Sequence, residues 1–198
     1  ADRKLEKGFS DPLAKIIDFI TWNISFRSIT KKLGLSKVDA SGSGAAPIAP
    51  EVLKFFMAIG IPIFEAYGMT ENCGYATGND YDNISLGTVG VPNKNCELKL
   101  ADDGEILIRH GGVFKGYFKN EEATKETIDK DGWLYTGDVG EMQGKFIKIV
   151  DRKKDIIITA GGKNISPSEI ENTLKVSPFV KDAIVIGDKR KYLSALIA

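Results

Sequence analysis

Residues 61–71 read Ile61-Pro62-Ile63-Phe64-Glu65-Ala66-Tyr67-Gly68-Met69-Thr70-Glu71, a short apolar run that passes directly into a polar loop. A run of this length bounded by turn residues is typical of a buried β-strand, here over residues 61–66. The loop that follows it combines an aromatic ring, a hydroxyl and a carboxylate. These side chains are suited to contacting a polar ligand at the end of a strand.

The sequence before this run predicts the element that pairs with it. A short strand ending near Ser41 leads into a turn of small residues, 42–46, and then into a helix with Pro50 near its start and Gly60 just past its end. Strand, helix and strand in this order indicate a parallel pair, and ligands usually bind beyond the carboxyl ends of parallel strands. We therefore expect the 42–46 turn and the 67–71 loop to lie side by side.

The remainder of the chain changes character twice. From Gly87 onward, the Asp103-Gly104 pair and the surroundings of Gly144 predict two β-hairpins. The charged run 151–155 is then the strongest linker candidate. After it come a predicted strand at 156–158, a glycine turn, a helix with Ser166 and Glu169 as a capping box around Pro167, and strands at 180–186 and 192–197. Upstream, the spacing of apolar residues predicts one or two amphipathic helices that include Leu13, Ile16, Ile17, Ile20 and Ile24.

Composition excludes several classes of function. Lys plus Arg and Asp plus Glu each total 27 among 198 residues, so no basic excess predicts a nucleic-acid partner. No apolar run approaches the ~20 residues of a membrane-spanning helix, and the start lacks the apolar stretch of a secretory signal, so we expect a cytoplasmic protein. The amphipathic stripe keeps peripheral membrane contact open as an alternative to core packing. Cys73 and Cys96 show no metal-site spacing and are expected to be structural.

Three separated motifs supply the parts of a nucleotide site. They are residues 67–71, Tyr135-Thr136-Gly137-Asp138, and Asp151-Arg152-Lys153-Lys154-Asp155. Each alone is common turn chemistry. Their order resembles the adenylate-forming (AMP-binding) enzymes, specifically the long-chain acyl-CoA synthetases, or fatty acid–CoA ligases. Residues 41–47 (Ser-Gly-Ser-Gly-Ala-Ala-Pro) and 159–167 (Thr-Ala-Gly-Gly-Lys-Asn-Ile-Ser-Pro) extend this resemblance.

The resemblance implies an α/β fold with a defined division. Residues 1–151 would be the carboxyl-side part of a large AMP-binding domain, with a parallel-sheet segment at about 33–86 and a β-rich subdomain at about 87–151. Residues 152–198 would hold the hinge and the first part of a truncated small α+β domain. The family's phosphate-wrapping loop would lie before Ala1 and its carboxyl-terminal Lys after Ala198. We therefore expect negligible ligase activity from the 198 residues alone.

The resemblance also assigns roles on the nucleotide side. Gly44, Ala45 and Ala46 would contact the adenine edge, and Tyr67, followed by Gly68, would stack on the base. Thr70 would donate to an α-phosphate oxygen, and Glu71 would hold Mg²⁺, because hard cations prefer oxygen ligands. From these residues alone, a tight turn and a solvated Thr-Glu pair are the simpler interpretations.

Further roles implied by the resemblance concern the sugar and the second substrate. Asp138 would accept from the ribose hydroxyls, with Arg152 as a second ribose or phosphate contact. Lys154 would be the hinge of the carboxyl-terminal domain, and Gly161 and Gly162 would meet the pantetheine arm of CoA. From the residues alone, Asp138 is simply a turn aspartate, and Arg152 and Lys154 are solvated surface charges. Two more segments, 104–105 and 116–117, match the family and are expected to support the nucleotide site.

Three functions remain open on the sequence. The leading one is an ATP-dependent ligase that uses Mg²⁺ and joins a fatty acid to CoA through an acyl-AMP. The second is an adenylation domain that activates an amino or aryl acid for a carrier protein, and the third is a non-catalytic nucleotide-binding module.

Overall fold

A computed structural model describes residues 26–198. The amphipathic stripe predicted between Leu13 and Ile24 lies outside the described residues. The first described helix, α1, is short and spans Arg27–Lys32. Within residues 26–198, no helix combines the length and the apolar character needed to cross a membrane. The cytoplasmic location stays a prediction.

The predicted strand–helix–strand unit is confirmed, with shifted bounds. Strand β1 spans Ser41–Ser43, helix α2 spans Pro50–Ala58, and strand β2 spans Ile63–Tyr67. β1 and β2 pair in parallel, with Ser41 opposite Ile63. α2 has a proline in its first turn, where the missing N–H costs nothing, and it buries Leu53. Both predicted loops therefore leave the same edge of the sheet.

The parallel pairing does not extend across the whole sheet. Strands β3 (Thr77–Gly78) and β4 (Val91–Pro92) add to β2 in antiparallel orientation, giving the order β1-β2-β3-β4. The predicted parallel-sheet segment at 33–86 is thus parallel only between β1 and β2. The chain returns at once after β2, through a short 3₁₀ turn at Thr70–Asn72, and a return this short can only give an antiparallel neighbour.

The predicted β-rich subdomain is a four-stranded antiparallel sheet. Its strands, in the order in which they pair, are β5 (Glu97–Leu100), β6 (Glu105–Arg109), β7 (Leu134–Gln143) and β8 (Phe146–Arg152). Both predicted hairpins are confirmed, as β5–β6 and β7–β8. Helix α3 (Glu121–Thr127) lies between β6 and β7, and the Asn120 side chain caps it by accepting from the N–H of Ala123.

The two sheets share one apolar core. Ala76, Ile106, Ile108 and Ile147 are fully buried together, and Tyr67 packs against them at the end of β2. Backbone hydrogen bonds also join the sheets, since Val89 donates to the carbonyl of Ile147 and Ile147 donates to that of Gly90. This packing fixes the carboxyl end of β2 against β6 and β8.

The carboxyl-terminal region contains two small hairpins around a helix. Strands β9 (Ile157–Ile158) and β10 (Asn164–Ile165) pair with each other, as do β11 (Ala183–Ile186) and β12 (Ser194–Ile197). Helix α4 spans Pro167–Leu174 between the hairpins. The Ser166 hydroxyl accepts from the N–H of Glu169 as predicted, whereas the Glu169 carboxylate lies 3.8 Å from Lys148 Nζ.

The predicted linker is wrong in its first two residues. Asp151 and Arg152 belong to β8, and the Asp151 side chain is buried. A run of charged residues in a sequence is typical of a solvent-exposed segment. Here, however, the Asp151 carboxylate has partners in the carboxyl-terminal region, Ser166 and Ser168. The irregular connection therefore begins at Lys153. The predicted domain boundary between 151 and 152 stays a prediction.

Candidate functional site

Two side chains from separate strands meet at a carboxylate on a third strand. The Tyr67 hydroxyl donates to Asp138 Oδ2 at 2.5 Å, and Arg152 Nε lies 2.9 Å from Asp138 Oδ1. Asp138 is only 5% exposed, and it stands opposite Arg152 in the β7–β8 pair. We call Tyr67, Asp138 and Arg152 the Asp138 cluster. It joins one residue from each of the three motifs that sequence analysis singled out.

Burial controls the electrostatics of this cluster. Desolvation raises the pKa of Asp138, although the hydrogen bond from Tyr67 and the charge of Arg152 oppose that rise. Desolvation also raises the pKa of Tyr67, and the adjacent Asp138 carboxylate raises it further. Tyr67 therefore remains a protonated donor at neutral pH. A carboxylate has about four acceptor positions, so Asp138 keeps acceptor capacity beyond these two contacts.

The backbone before Asp138 is held by a second carboxylate. Gly137 has φ +71°, a left-handed conformation that glycine adopts without steric cost. Its N–H donates to Glu105 Oε1 at 2.9 Å, and its carbonyl accepts from the N–H of Lys153 at 2.8 Å. The Thr136 hydroxyl donates to the carbonyl of Ile106 and accepts from the N–H of Asp138. These contacts fix the direction of the Asp138 side chain.

The loop after β2 depends on a close backbone approach. A Cβ atom on Gly68 would lie 2.3 Å from the carbonyl carbon and oxygen of Gly74, so only glycine fits. Met69 N–H donates to Asn72 Oδ1, which holds the following 3₁₀ turn. Thr70 opens this turn and is exposed, and no hydrogen bond engages its hydroxyl within residues 26–198. The Thr70 hydroxyl is thus free to meet a ligand.

Glu71 has the chemistry of a partial metal site. Tyr117 Oη donates to Glu71 Oε1 at 2.8 Å, and Oε2 has no hydrogen-bond partner in the described part of the chain. Desolvation and this bond to Glu71 raise the pKa of Tyr117, so it stays a donor. No group of three or more His, Cys, Asp or Glu side chains is arranged around a metal position among residues 26–198. An ion here would need most of its oxygen ligands from a nucleotide and water.

The loop after β1 is exposed and lies next to β2. Gly44, Ala45 and Ala46 are all exposed, and a Cβ on Gly44 would lie 3.2 Å from the carbonyl oxygen of Ala66. Ala45 has φ +67°, which is uncommon for a residue with a side chain. Left-handed non-glycine residues cluster at ligand sites, where the surrounding structure imposes them. Adenine contact by this loop stays a prediction.

The predicted hinge residue lies beside the Asp138 cluster. Lys154 lines a shallow cleft together with Gly137, Arg152 and Lys153. Lys153 is paired with Asp103 at 2.6 Å and Glu105 at 2.7 Å, and both contacts raise its pKa, that with Asp103 more strongly. Among the described residues, no ion pair or hydrogen bond engages the Lys154 ammonium group. Arg152 and Lys153 are therefore committed to carboxylates, whereas Lys154 is not.

The two glycines predicted to contact CoA lie in a separate turn of the carboxyl-terminal region. Gly161 and Gly162 form the exposed turn between β9 and β10, and the Gly162 N–H donates to the carbonyl of Thr159. Across residues 26–198, no hydrogen bond or ion pair joins this turn to the Asp138 cluster. The contact with CoA stays a prediction.

Sequence reasoning gave too little weight to Glu105 and Lys153. Segments 104–105 and 116–117 are predicted to support the nucleotide site. In the structure Glu105 accepts from the N–H of Gly137 and Tyr117 donates to Glu71, and the supporting role stays a prediction. A signal was available for Glu105. It is an acidic residue at the start of the apolar strand Glu105–Arg109, where an unpaired charge would be costly to bury.

Comparison with protein families identifies two successive matches. Residues 16–118 match the model described as "AMP-binding enzyme", and residues 154–198 match "AMP-binding enzyme C-terminal domain". Among curated relatives, the long-chain-fatty-acid–CoA ligase FadD15 of Mycobacterium bovis is 40% identical over 173 residues, which is 87% of this chain and 28% of that protein. The peroxisomal long chain acyl-CoA synthetase 7 of Arabidopsis thaliana is 42% identical over 190 residues, 87% of this chain and 27% of that protein. The chain thus spans less than a third of the length of these relatives.

Solved structures give the same fold. O-succinylbenzoate coenzyme A synthetase from Bacillus subtilis, in complex with AMP, matches with a TM-score of 0.72 and 28% identity, over 88% of this chain and 44% of that one. The anthranilate CoA ligase AuaEII, in complex with anthranoyl-AMP, matches with a TM-score of 0.73 and 28% identity, over 82% of this chain and 34% of that one. The Bacillus synthetase was also solved with ATP and a magnesium ion, and that structure again gives a TM-score of 0.72.

Proposed function

Since the chain belongs to the AMP-binding enzyme family, we propose that it carries the nucleotide-holding part of an ATP-dependent acid–thiol ligase. The proposed substrates are a long-chain fatty acid, ATP and CoA. The acid class is taken from the curated relatives, which are about 40% identical to this chain over most of its length.

The Asp138 cluster is the observation that carries this proposal. One buried carboxylate with spare acceptor positions stands between an aromatic ring and a guanidinium group. Such a carboxylate suits the paired hydroxyls of a ribose, and the ring suits a base. The loop that starts at Tyr67 carries the exposed Thr70 and a Glu71 oxygen without a partner among the described residues, and these are the groups proposed to meet the phosphates and the metal ion. The ribose is thus assigned to Asp138, the base to Tyr67, an α-phosphate oxygen to Thr70 and the metal ion to Glu71.

The first reaction step joins the acid to the nucleotide. An oxygen of the fatty acid carboxylate attacks the α-phosphorus, the bond from that phosphorus to the bridging oxygen of pyrophosphate breaks, and pyrophosphate leaves with the electron pair. The product is an acyl-AMP, a mixed anhydride. Asp138 and Arg152 hold the sugar, and the free Thr70 hydroxyl donates to an α-phosphate oxygen. When bound at the free oxygen of Glu71, Mg²⁺ supplies positive charge that offsets the charge of the phosphates.

The second step transfers the acyl group to the thiol. The thiolate of CoA attacks the carbonyl carbon, a carbon–sulfur bond forms, and the bond to the AMP oxygen breaks. The carboxyl-terminal region has to present the Gly161–Gly162 turn to the pantetheine arm for this step. A short irregular segment at Lys154 can absorb the torsion changes of such a movement. Lys154 suits this role because no partner among the described residues restrains its side chain.

An aromatic acid is the second candidate substrate. Two of the matching structures are CoA ligases whose names refer to anthranilate and O-succinylbenzoate. Their identity to this chain is 28%, against 40% for the fatty-acid ligase of Mycobacterium bovis. The fatty acid is therefore preferred.

Exchange of labelled pyrophosphate into ATP tests the proposal. The natural full-length protein would be assayed with hexadecanoic acid, benzoic acid or no acid, and then with CoA to detect the thioester. We expect exchange that depends on hexadecanoic acid, followed by hexadecanoyl-CoA formation. Exchange with benzoic acid alone would favour the aromatic acid. Binding of AMP without exchange for any acid would favour a non-catalytic nucleotide-binding module.

A further inference from the structure

Glu105 is a buried carboxylate that none of the reaction steps above uses. It is 5% exposed, and each of its oxygens has one partner. Oε1 accepts from the N–H of Gly137, and Oε2 accepts from Lys153 Nζ at 2.7 Å. One side chain on β6 therefore contacts both the residue before Asp138 and the residue before Lys154.

The local strand geometry brings Gly137 to Glu105. Leu107 pairs with Tyr135 but Glu105 pairs with Val139, so β7 carries two extra residues in the stretch that contains Gly137 and Asp138. Such bulges change the direction of a side chain and are frequent beside active sites. Placing a carboxylate in a buried position costs free energy unless its charge and hydrogen bonds are matched. Here the cation and the amide provide that match.

Gly137 and Lys153 are joined twice. Their backbones meet directly, because the Lys153 N–H donates to the Gly137 carbonyl at 2.8 Å. Glu105 then binds the amide of one residue and the ammonium group of the other. Asp103 Oδ2 adds a second carboxylate on Lys153, but it makes no contact with Gly137. Glu105 is thus the side chain that connects the turn before Asp138 with the start of the linker.

We propose that Glu105 is a positioning residue, which orients Asp138 for the ribose through Gly137 and fixes Lys153 so that the linker moves only from Lys154 onward. This role rests on the proposed function of Asp138 in binding AMP. A purely structural role predicts a different result. Loss of folded protein lowers the number of binding sites in a titration, whereas misdirection of Asp138 raises the dissociation constant of the sites that remain.

Calorimetric titration with AMP, on the natural full-length protein, separates these two roles. In Glu105→Gln the amide group offers one acceptor oxygen and one NH₂ donor, so Gly137 and Lys153 lose their separate acceptors and compete for a single oxygen. We expect the AMP dissociation constant to rise about 10-fold, the loss expected for a hydrogen bond to a charged group. The matched control is Asp103→Asn, which removes the other carboxylate charge from Lys153 and keeps an amide oxygen that can still accept from the N–H of Glu105. It should change the AMP dissociation constant less than about twofold.

Rescue sharpens the test. In the double variant Glu105→Gln with Lys153→Met, no ammonium group competes for the amide oxygen, which can again accept from Gly137. The AMP dissociation constant should return to within about threefold of the original value, whereas Glu105→Ala with Lys153→Met should stay about 10-fold weaker. This pair also covers the case in which Glu105→Gln alone does not fold.

The titrations and the exchange assay together distinguish a failure of the Glu105 proposal from a failure of the proposed ligase function. Unchanged dissociation constants in the folded Glu105 variants, with only the number of sites reduced, would overturn the positioning role. AMP binding by the unmodified protein without acid-dependent pyrophosphate exchange would overturn the proposed ligase function and leave the Glu105 titrations decisive. Absence of AMP binding by the unmodified protein would overturn both.

Discussion

Two buried carboxylates on neighbouring strands have opposite kinds of surroundings. Asp138 on β7 has two side-chain partners, Tyr67 on β2 and Arg152 on β8. Asp151 on β8 accepts from four donors, and three of them belong to Ser166 and Ser168 at the start of α4. The two aspartates are 5% and 7% exposed, so burial does not distinguish them.

The difference lies in remaining acceptor capacity. A carboxylate accepts about four hydrogen bonds, so Asp151 is saturated and Asp138 is not. Asp151 therefore holds one region of the protein to another, while Asp138 can still bind a ligand. Rotation of the carboxyl-terminal region about Lys154 would carry Ser166 and Ser168 away from Asp151. The proposed movement between the two reaction steps thus has a defined cost at Asp151 and none at Asp138.

The largest effect is expected from loss of the Asp138 charge. Asp138→Asn should weaken AMP binding by roughly 100-fold or more, because two hydrogen bonds to a charged group contribute about 1.5–3 kcal/mol each. Calorimetric titration measures this change. The matched control is Asp151→Asn, which should alter AMP affinity by less than about threefold. Equal losses in both variants would show that the two aspartates do not differ as described.

The second effect concerns docking of the carboxyl-terminal region. Asp151→Ala leaves the Ser166 and Ser168 donors without their acceptor, at a cost of about 1–3 kcal/mol for each buried group. Amide hydrogen exchange over α4 should accelerate by about 10-fold or more, and exchange over β7 should not change. Asp138→Ala serves as the reverse control. Faster exchange in α4 of that variant would contradict the division of roles.

A smaller effect is expected at Tyr67. Tyr67→Phe keeps the ring that packs on the core but removes the hydroxyl that donates to Asp138. We expect AMP affinity to fall about fivefold, in line with about 1 kcal/mol for one hydrogen bond. Tyr67→Leu removes the aromatic face as well and should lose more. If the Phe and Leu variants bind AMP equally, the ring does not stack on the base.

The smallest expected effect is a shift in pH dependence. Binding of ribose by Asp138 needs the ionised carboxylate, and burial raises its pKa, so AMP affinity should fall with acidification at a higher pH than for an exposed aspartate. Arg152→Met removes a charge that lowers this pKa, so the fall should begin at a still higher pH. The effect of this raised pKa on the stability of the folded protein has the opposite dependence on pH. A raised pKa favours the folded state at low pH, and this contribution is lost as pH rises through the raised value.

Titration of AMP affinity against pH in the unmodified protein, Arg152→Met and Asp138→Asn checks the assignment. The acid limb should move upward in Arg152→Met and disappear in Asp138→Asn. If AMP affinity still falls on acidification in Asp138→Asn, a group other than Asp138 causes that fall.

The sequence predicted the local elements more fully than the long-range contacts. Turn residues and alternation located both hairpins, and the Pro50 and Gly60 signals located α2, because these features depend on neighbours in the chain. Asp151 was misplaced in the linker, since its partners lie 15 and 17 residues further on. Adjacent charges look alike in sequence whether they are solvated or saturated by distant hydroxyls.

The same limit applies to the candidate site. The three motifs named Tyr67, Asp138 and Arg152 separately, but the hydrogen bond from Tyr67 to Asp138 spans 71 residues, and no local pattern specifies it. Glu105 shows the reverse case. Its burial could be suspected from its place in an apolar strand, but the identity of its partners, Gly137 and Lys153, depends on the register irregularity in β7.

A crystal structure of the natural full-length protein with AMP tests the central claim most directly. The account predicts that both ribose hydroxyls donate to the Asp138 carboxylate, with the base against the Tyr67 ring and the Asp151 carboxylate still engaged by Ser166 or by solvent. AMP bound elsewhere, with Asp138 paired only to Tyr67 and Arg152, would contradict it.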